Sequence, residues 1–578
     1  MNTRLHILML SVGFCVAFYS QNNISLAVVN QLSFTSSNLP IVVIETDGKT
    51  ILNEPKITVD FGIIYNGEGV RNNLTDPQNN YKGKVAIEIR GSTSQWFPKK
   101  QYAIETRTAA GADTSVSLLD LPEENDWILY APYTDKTFFR DVLAYWLSVK
   151  TGHYASRFKF CELVLNSEYM GVYILLEKIK RDKNRVDVSK LTATDNGGDS
   201  LTGGYLLKID KEDGSGNDGW RSLFPPYFEA SQQIYWQYHY PKPEDITPQQ
   251  KEYIQKYIDV FETRVYNPDY TDTLTGYPSL IDVPSFVDYF LLNEMSKNID
   301  AYRLSAFLYK DKDSKNPKLK MGPVWDYNIA WGNANYYDAS LVYGWHLSYL
   351  STNTNFLQTD QFQVPFWWKK IAADANFQKK YAARWFQLRL TEFSITNIYR
   401  FIDSLKTLTN EAQPRNFQRW PILGTWVWPN YYVGQTYDDE VAYLKNWIKD
   451  RCGWMDAELR NIIKVDETEP QIPNSFELFQ NYPNPFNPET VISWQCAVGS
   501  HVTLKVFDVL GNEVATLVNE IKQPGRYEAE FRSAVGNRQL TSGTSAKGGY
   551  ASGVYFYQLR SSYAGGNFVQ TKKMILLR

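Results

Sequence analysis

The feature that most constrains the fold is a break in character near residue 464. Lys464 to Asn474 is acidic and carries Pro470 and Pro473, the composition of a linker. Before it, β-branched runs and helix-spaced apolar runs share the chain. Beyond it, only short alternating segments follow. A chain of 578 residues is also too long for one compact core. The reading is α+β: a body over 38–463, a linker over 464–475, and a small C-terminal β-sandwich over 476–578.

The body has a β-rich front and a helical back. Ile41 to Glu45, Ile57 to Phe61 and Val85 to Ile89 read as strands between turn residues. Phe138, Val142, Tyr145 and Trp146 share one helical face, which predicts a helix over 137–149. Phe160 to Leu165 and Tyr169 to Leu176 return to strand, and 203–210 adds another. Asn184 to Thr202 is polar and loop-like. Residues 248–300 and 365–463 carry mostly helical periodicity. In the tail, Val491 to Trp494, Val502 to Phe507, Tyr527 to Phe531 and Val554 to Leu559 alternate apolar and polar, with a turn at Gly511.

Residues 1–20 have the layout of a signal peptide. Arg4 precedes an apolar stretch, Leu5 to Phe18, that is too short to cross a bilayer. The alternative is a membrane anchor or a buried helix. No later run is long and apolar enough to span, so no stable membrane span is expected. Lys and Arg number 60 against 63 Asp and Glu, a balance that argues against binding nucleic acid through its phosphates. Cys15, Cys161, Cys452 and Cys496 form no C-x-x-C pair, and the histidines are scattered. Neither a zinc site nor a disulfide framework is expected.

Two carboxylates carry the chemistry. Asp300 lies in Asn298-Ile-Asp-Ala-Tyr-Arg303, and Asp326 in Pro323-Val-Trp-Asp-Tyr-Asn328. Between them run a short apolar segment, Phe307 to Tyr309, and a polar, hairpin-like stretch. The first carboxylate can orient a hydroxyl; the second can hold a metal on nucleotide phosphates. Asn328, two residues on, shares a face of an extended segment with Asp326 and can assist. The turn Arg90-Gly91-Ser92-Thr93-Ser94 offers backbone N–H groups and hydroxyls to phosphate, or is an ordinary hairpin turn. Lys99 and Lys100 open a strand with opposite faces, so one of them, Lys100 by preference, faces a site or both are solvated. Arg140 pairs with a carboxylate that orients the lysine, contacts phosphate, or makes a simple surface salt bridge.

Several blocks resemble the CotH kinase family of atypical kinases: Glu88 to Glu105, Trp127 to Tyr145, Glu168 to Ile179, and the Asp300 and Asp326 region. The resemblance implies a kinase-like domain over 38–463 that uses ATP with Mg2+ or Mn2+. It gives Asp300 the part of catalytic aspartate and Asp326, helped by Asn328, that of metal ligand. Arg90, Ser92, Lys99, Lys100 and Arg140 fall to the nucleotide. Glu177, at the end of a strand where a kinase hinge would lie, either accepts from the nucleobase or caps a turn. Many kinases carry a second metal-binding asparagine five residues after the catalytic aspartate, whereas this chain has Ser305.

The tail resembles the C-terminal sorting domain of proteins exported by type IX secretion. The match rests on Leu478 to Pro488, Val506 to Gly511, Gly525 to Tyr527, Ala551 to Tyr557 and the basic-then-apolar end from Lys572. It implies the type IX machinery as a partner and a secreted or cell-surface location reached through the periplasm. The function expected is phosphoryl transfer from ATP to a hydroxyl of an exported or surface protein. The alternative is a weak or inactive kinase-like surface or coat protein that acts as a binding or adhesion module. A two-carboxylate glycosidase ranks below both.

Overall fold

A computed structural model describes residues 34–212, 219–467, 475–532, 550–563 and 566–577. The expected signal peptide, most of the linker and most of the polar insertion before Ala551 lie outside the described residues. The chain is mixed, with 28% helix and 29% strand. It divides into two compact units, one ending at Leu459 and one beginning at Arg460.

The front of the first unit is a closed barrel, which strand patterns alone did not foretell. Its strands run in the order Ile41–Glu45, Ile57–Ile64, Tyr81–Ile89, Tyr102–Arg107, Asp126–Tyr130, Glu168–Glu177 and Phe158–Leu165. Neighbours are antiparallel except at the seam, where Ile41 to Ile44 pair in parallel with Glu162 to Leu165. Alternation drives this. Along Tyr102–Arg107 every second residue is buried. Ile44, Ile63, Val85, Ile87, Trp127 and Tyr173 are fully buried in one core. Each aliphatic side chain so buried contributes roughly 1.5–3 kcal/mol relative to exposure.

The other half of the unit combines a five-stranded sheet with helices. The sheet runs Gly219–Arg221, Tyr235–Tyr240, Tyr205–Ile209, Ala306–Lys310 and Lys320–Met321. Helix Pro248–Tyr266 begins with a capping box from Thr247 and Gln250 and has proline in its first turn. Helix Val283–Ser296 is capped by Asp282 and buried nearly all round. Such a helix has no solvent face and belongs in a core. It stops at Lys297, whose left-handed φ of 47° turns the chain toward Asp300. The helix expected over 137–149 spans Arg140–Lys150. The region from 365 contains Phe366–Ala373, Ala375–Leu390, Ile395–Thr409, Ala412–Arg419 and Tyr437–Glu467. The last of these continues into the stretch from Lys464 read as linker.

A buried knot joins the last helix to the Asp300 segment. Glu294 Oε2 lies 3.3 Å from Arg451 Nη2 and accepts from His346 N, while Oε1 accepts from Leu347 N and from the Tyr302 hydroxyl. Every charge there is paired or hydrogen-bonded, as burial requires.

The second unit carries a three-stranded sheet, Glu477–Leu478, Glu489–Cys496 and Gly525–Arg532. It also has a four-stranded sheet, Glu513–Lys522, Ser500–Phe507, Gly553–Tyr563 and Gly566–Leu576. Leu478, Ile492, Trp494, Val502, Leu504, Tyr557 and Leu576 from both sheets share one apolar core.

Candidate active site

The antiparallel hairpin made by Ala306–Lys310 and Lys320–Met321 brings the two aspartates together. Leu308 faces Met321 and Tyr309 faces Lys320. A hairpin returns the chain to the end from which it left. Asp300, before the first strand, and Asp326, after the second, therefore line the same cleft, of about 190 Å³. The barrel side of that cleft is formed by Arg90, the turn Gly91 to Ser94, Gln101, Tyr130 and Leu176. The other side holds Lys211, Trp325, Asn328, Tyr336 and Trp428.

Arg90 is the cation of the barrel side. Its Nη1 donates to Gln101 Oε1 at 3.2 Å, and its guanidinium sits 5.8 Å from the centre of the Trp325 ring. Trp325 in turn stacks on Tyr145 at 5.8 Å. Burial pulls the Arg90 pKa down, and the charges of Asp326 and Asp141 oppose this. Gly91 has φ +98°, and a Cβ there would collide with Ser94 Oγ, so the turn needs glycine at this point.

Asp300 follows a tight turn in which Asn298 Oδ1 accepts from the Asp300 N–H. Arg303 Nη2 lies 3.3 Å from Asp300 Oδ1, and Arg303 is itself held by Asp360 at 3.0 Å. Burial raises the Asp300 pKa, and Arg303 and Lys211 oppose the rise. Asp326 sits at a left-handed φ of 65°, a conformation that aspartate tolerates better than most residues. Its backbone carbonyl accepts from Asn298 Nδ2, which ties the two aspartate segments together. Burial raises the Asp326 pKa first, and the charges of Asp141, Asp300 and Asp210 raise it further. The segment after Asp326 is pinned by Asn333 Nδ2, which donates to the carbonyls of Asn328 and Thr134.

The structure thus brings together Arg90, Ser92, Asp300, Asp326 and Asn328. The remaining sequence candidates do not line this cleft. Lys99 and Lys100 precede the strand that starts at Tyr102. Lys99 is buried, donates to Val172 O at 2.6 Å and to Asn416 Oδ1 at 2.8 Å, and lies 5.0 Å from the Tyr173 ring centre. Burial drives its pKa well down. Lys100 donates to Gln95 O and borders a different depression. Arg140 turns to Asp135, 2.5 Å away, with both side chains buried. Glu177 is fully buried and accepts from the Tyr154 hydroxyl and from Arg157 N and Nε. These four are held by partners away from the cleft. Ser305 also lies off the cleft, so the five-residue spacing from Asp300 says nothing about metal ligation here, whereas Asn328 does line it.

Two charged lining residues, Asp141 and Lys211, had no role in the expectations from sequence. Asp141 stands four residues before Tyr145 on one helical face, the signal that could have placed both inside. Lys211 is the second residue after the strand ending at Ile209, beside Asp210.

The metal set fits in kind. Asp326, Asp141 and Asn328 present oxygen ligands, which suit Mg2+ or Mn2+. Asp141 Oδ2 is buried without a hydrogen-bond partner. Among the described residues no group of three or more His, Cys, Asp or Glu is gathered as a complete metal cage. Magnesium bound with nucleotide uses one or two carboxylates, with phosphates and water supplying the rest.

Fold and site together define a mixed α and β protein with an acidic, cation-edged cleft between a β-barrel and a helical half. The family model described as CotH kinase protein matches residues 87–455, more than half of the chain, and the chain belongs to that family. Membership suggests a kinase-like protein and implies ATP and divalent-metal use in general. No curated protein matches the chain. Among the described residues no helix is long and apolar enough to cross a membrane.

Proposed function

We propose that this chain is a secreted or cell-surface atypical protein kinase that transfers the γ-phosphoryl group of ATP to a hydroxyl of an exported or surface protein. The observation that carries the reading is the meeting of Asp300 and Asp326 on one cleft with Arg90 and the Gly91 to Ser94 turn.

Asp300 aligns the acceptor hydroxyl and takes up its proton as the oxygen attacks the γ-phosphorus and the bond from that phosphorus to the ADP oxygen breaks, ADP leaving. Its raised pKa suits that part better than an exposed aspartate would. Arg303 fixes the carboxylate in place. Arg90 and the turn N–H groups and hydroxyls hold phosphate oxygens. Asp326 and Asn328 hold Mg2+ or Mn2+, which when bound neutralises phosphate charge. Positioning and electrostatics do most of the work. The location rests on the leader over 1–20 and on the tail, whose two sheets sharing one core support a β-sandwich sorting domain read by the type IX machinery.

The test is transfer of labelled phosphate from ATP, with Mg2+ or Mn2+, by wild type, Asp300→Ala and Asp326→Ala. Transfer by wild type alone is expected. Nucleotide binding without transfer would instead make the chain a binding module on a kinase scaffold, and equal transfer by all three would remove both aspartates from the mechanism.

A further inference from the structure

We infer that Asp141 is a second carboxylate ligand for the divalent cation of this cleft, alongside Asp326; the inference rests on the phosphotransfer reading above. Asp141 lies in the first turn of helix Arg140–Lys150, far from both catalytic segments in sequence. Its Oδ1 accepts from Tyr327 N at 2.6 Å. Tyr327 follows Asp326, so this bond pins the Asp141 carboxylate against the peptide of the proposed metal ligand. The Tyr145 hydroxyl reaches the same Oδ1 at 3.4 Å.

The other oxygen is the telling one. Asp141 is 3% exposed and lines the cleft, yet Oδ2 has no hydrogen-bond partner. A buried carboxylate oxygen left without a donor is costly. Its neighbour Arg140 does not relieve it, being paired with Asp135. A hard cation between Asp141 and Asp326 would satisfy that oxygen and offset the repulsion between two carboxylates. Asp141 would also supply a second protein oxygen ligand, which Ser305, outside the cleft, does not. Two carboxylates, Asn328 and nucleotide oxygens then make a set of the kind magnesium and manganese accept.

The test is a Mn2+ titration of the full chain by electron paramagnetic resonance, with a non-hydrolysable ATP analogue present, for wild type, Asp141→Asn and Asp326→Asn. Melting temperatures are taken with and without Mn2+, and nucleotide affinity is measured in chelator. Asp141→Asn is expected to weaken Mn2+ about tenfold or more, as loss of a ligating contact does. Its affinity for nucleotide in chelator should not fall, because a negative charge beside the phosphates is removed. Its melting temperature without metal should equal or exceed wild type, because an unsatisfied buried charge is gone, while Mn2+ should raise it less. Wild-type Mn2+ affinity in Asp141→Asn, with loss in Asp326→Asn, would overturn the inference and leave the kinase reading standing. Failure of wild type to bind Mn2+ or nucleotide would overturn both. Should Asp141→Asn not fold, Asp141→Glu keeps the charge but moves the oxygens: weakened Mn2+ binding supports the assignment, and unchanged binding overturns it.

Discussion

Arg90 and Lys99 show how differently two early cations are used. Arg90 ends at the cleft beside Asp326, between Gln101 and Trp325. Lys99 is enclosed by the Val172 carbonyl and Asn416. Arg90→Ala should weaken ATP binding by roughly 10- to 100-fold, the equivalent of a charge-assisted bond of about 1.5–3 kcal/mol. Calorimetric titration checks it; unchanged affinity would remove Arg90 from the nucleotide site. Lys99→Met should leave that affinity alone and lower stability by about 1–3 kcal/mol, since it removes the Lys99 donor from the buried Val172 carbonyl and leaves Asn416 Oδ1 with only the Val172 N–H. Denaturant unfolding beside the same titration checks both halves. The two aspartates were legible in the sequence because each stands beside a marked turn or strand. The fate of the lysines was not. Lys99 is buried by Asn416, a residue distant in sequence, and no local pattern encodes such a partner.

At the scale of elements, the polar stretch between Asp300 and Asp326 was readable as a hairpin, and with it the meeting of the two carboxylates. Asp141 was overlooked because a charged residue at a helix start reads by default as a favourable dipole contact. Helix Pro248–Tyr266 carries a pH-sensitive group of its own. Glu262 is fully buried and accepts from the Ser222 hydroxyl at 2.7 Å and Trp236 Nε1 at 3.2 Å. Burial lifts its pKa from 4.5 to about 7. A carboxyl whose pKa rises on folding binds its proton more tightly in the folded state. Its contribution is whole below the unfolded value and fades as pH climbs through the folded one. The loss between pH 4.5 and above 7 amounts to about 3 kcal/mol. Glu262→Gln should flatten that part of the stability curve, measured by urea unfolding across the range. An unaltered slope would show that Glu262 does not titrate there.

At the scale of the molecule, the α+β character was visible and barrel closure was not. Closure depends on parallel pairing of Ile41–Glu45 with Phe158–Leu165, and a strand's own alternation does not name its partner across such a distance. The two compact units hold separate cores, so calorimetry of the full chain should show two unfolding transitions. One transition with equal calorimetric and van't Hoff enthalpies would contradict independent cores.

The central claim is that Asp300 and Asp326 serve one phosphotransfer event in one cleft. The rate of phosphoryl transfer by Asp300→Ala, Asp326→Ala and the double variant tests it most directly. Residues that act as a unit are non-additive. Each single change should cost about a thousandfold or more, and the double variant should lose little beyond the worse single one. Losses that multiply, or a single variant transferring at the wild-type rate, would contradict the account.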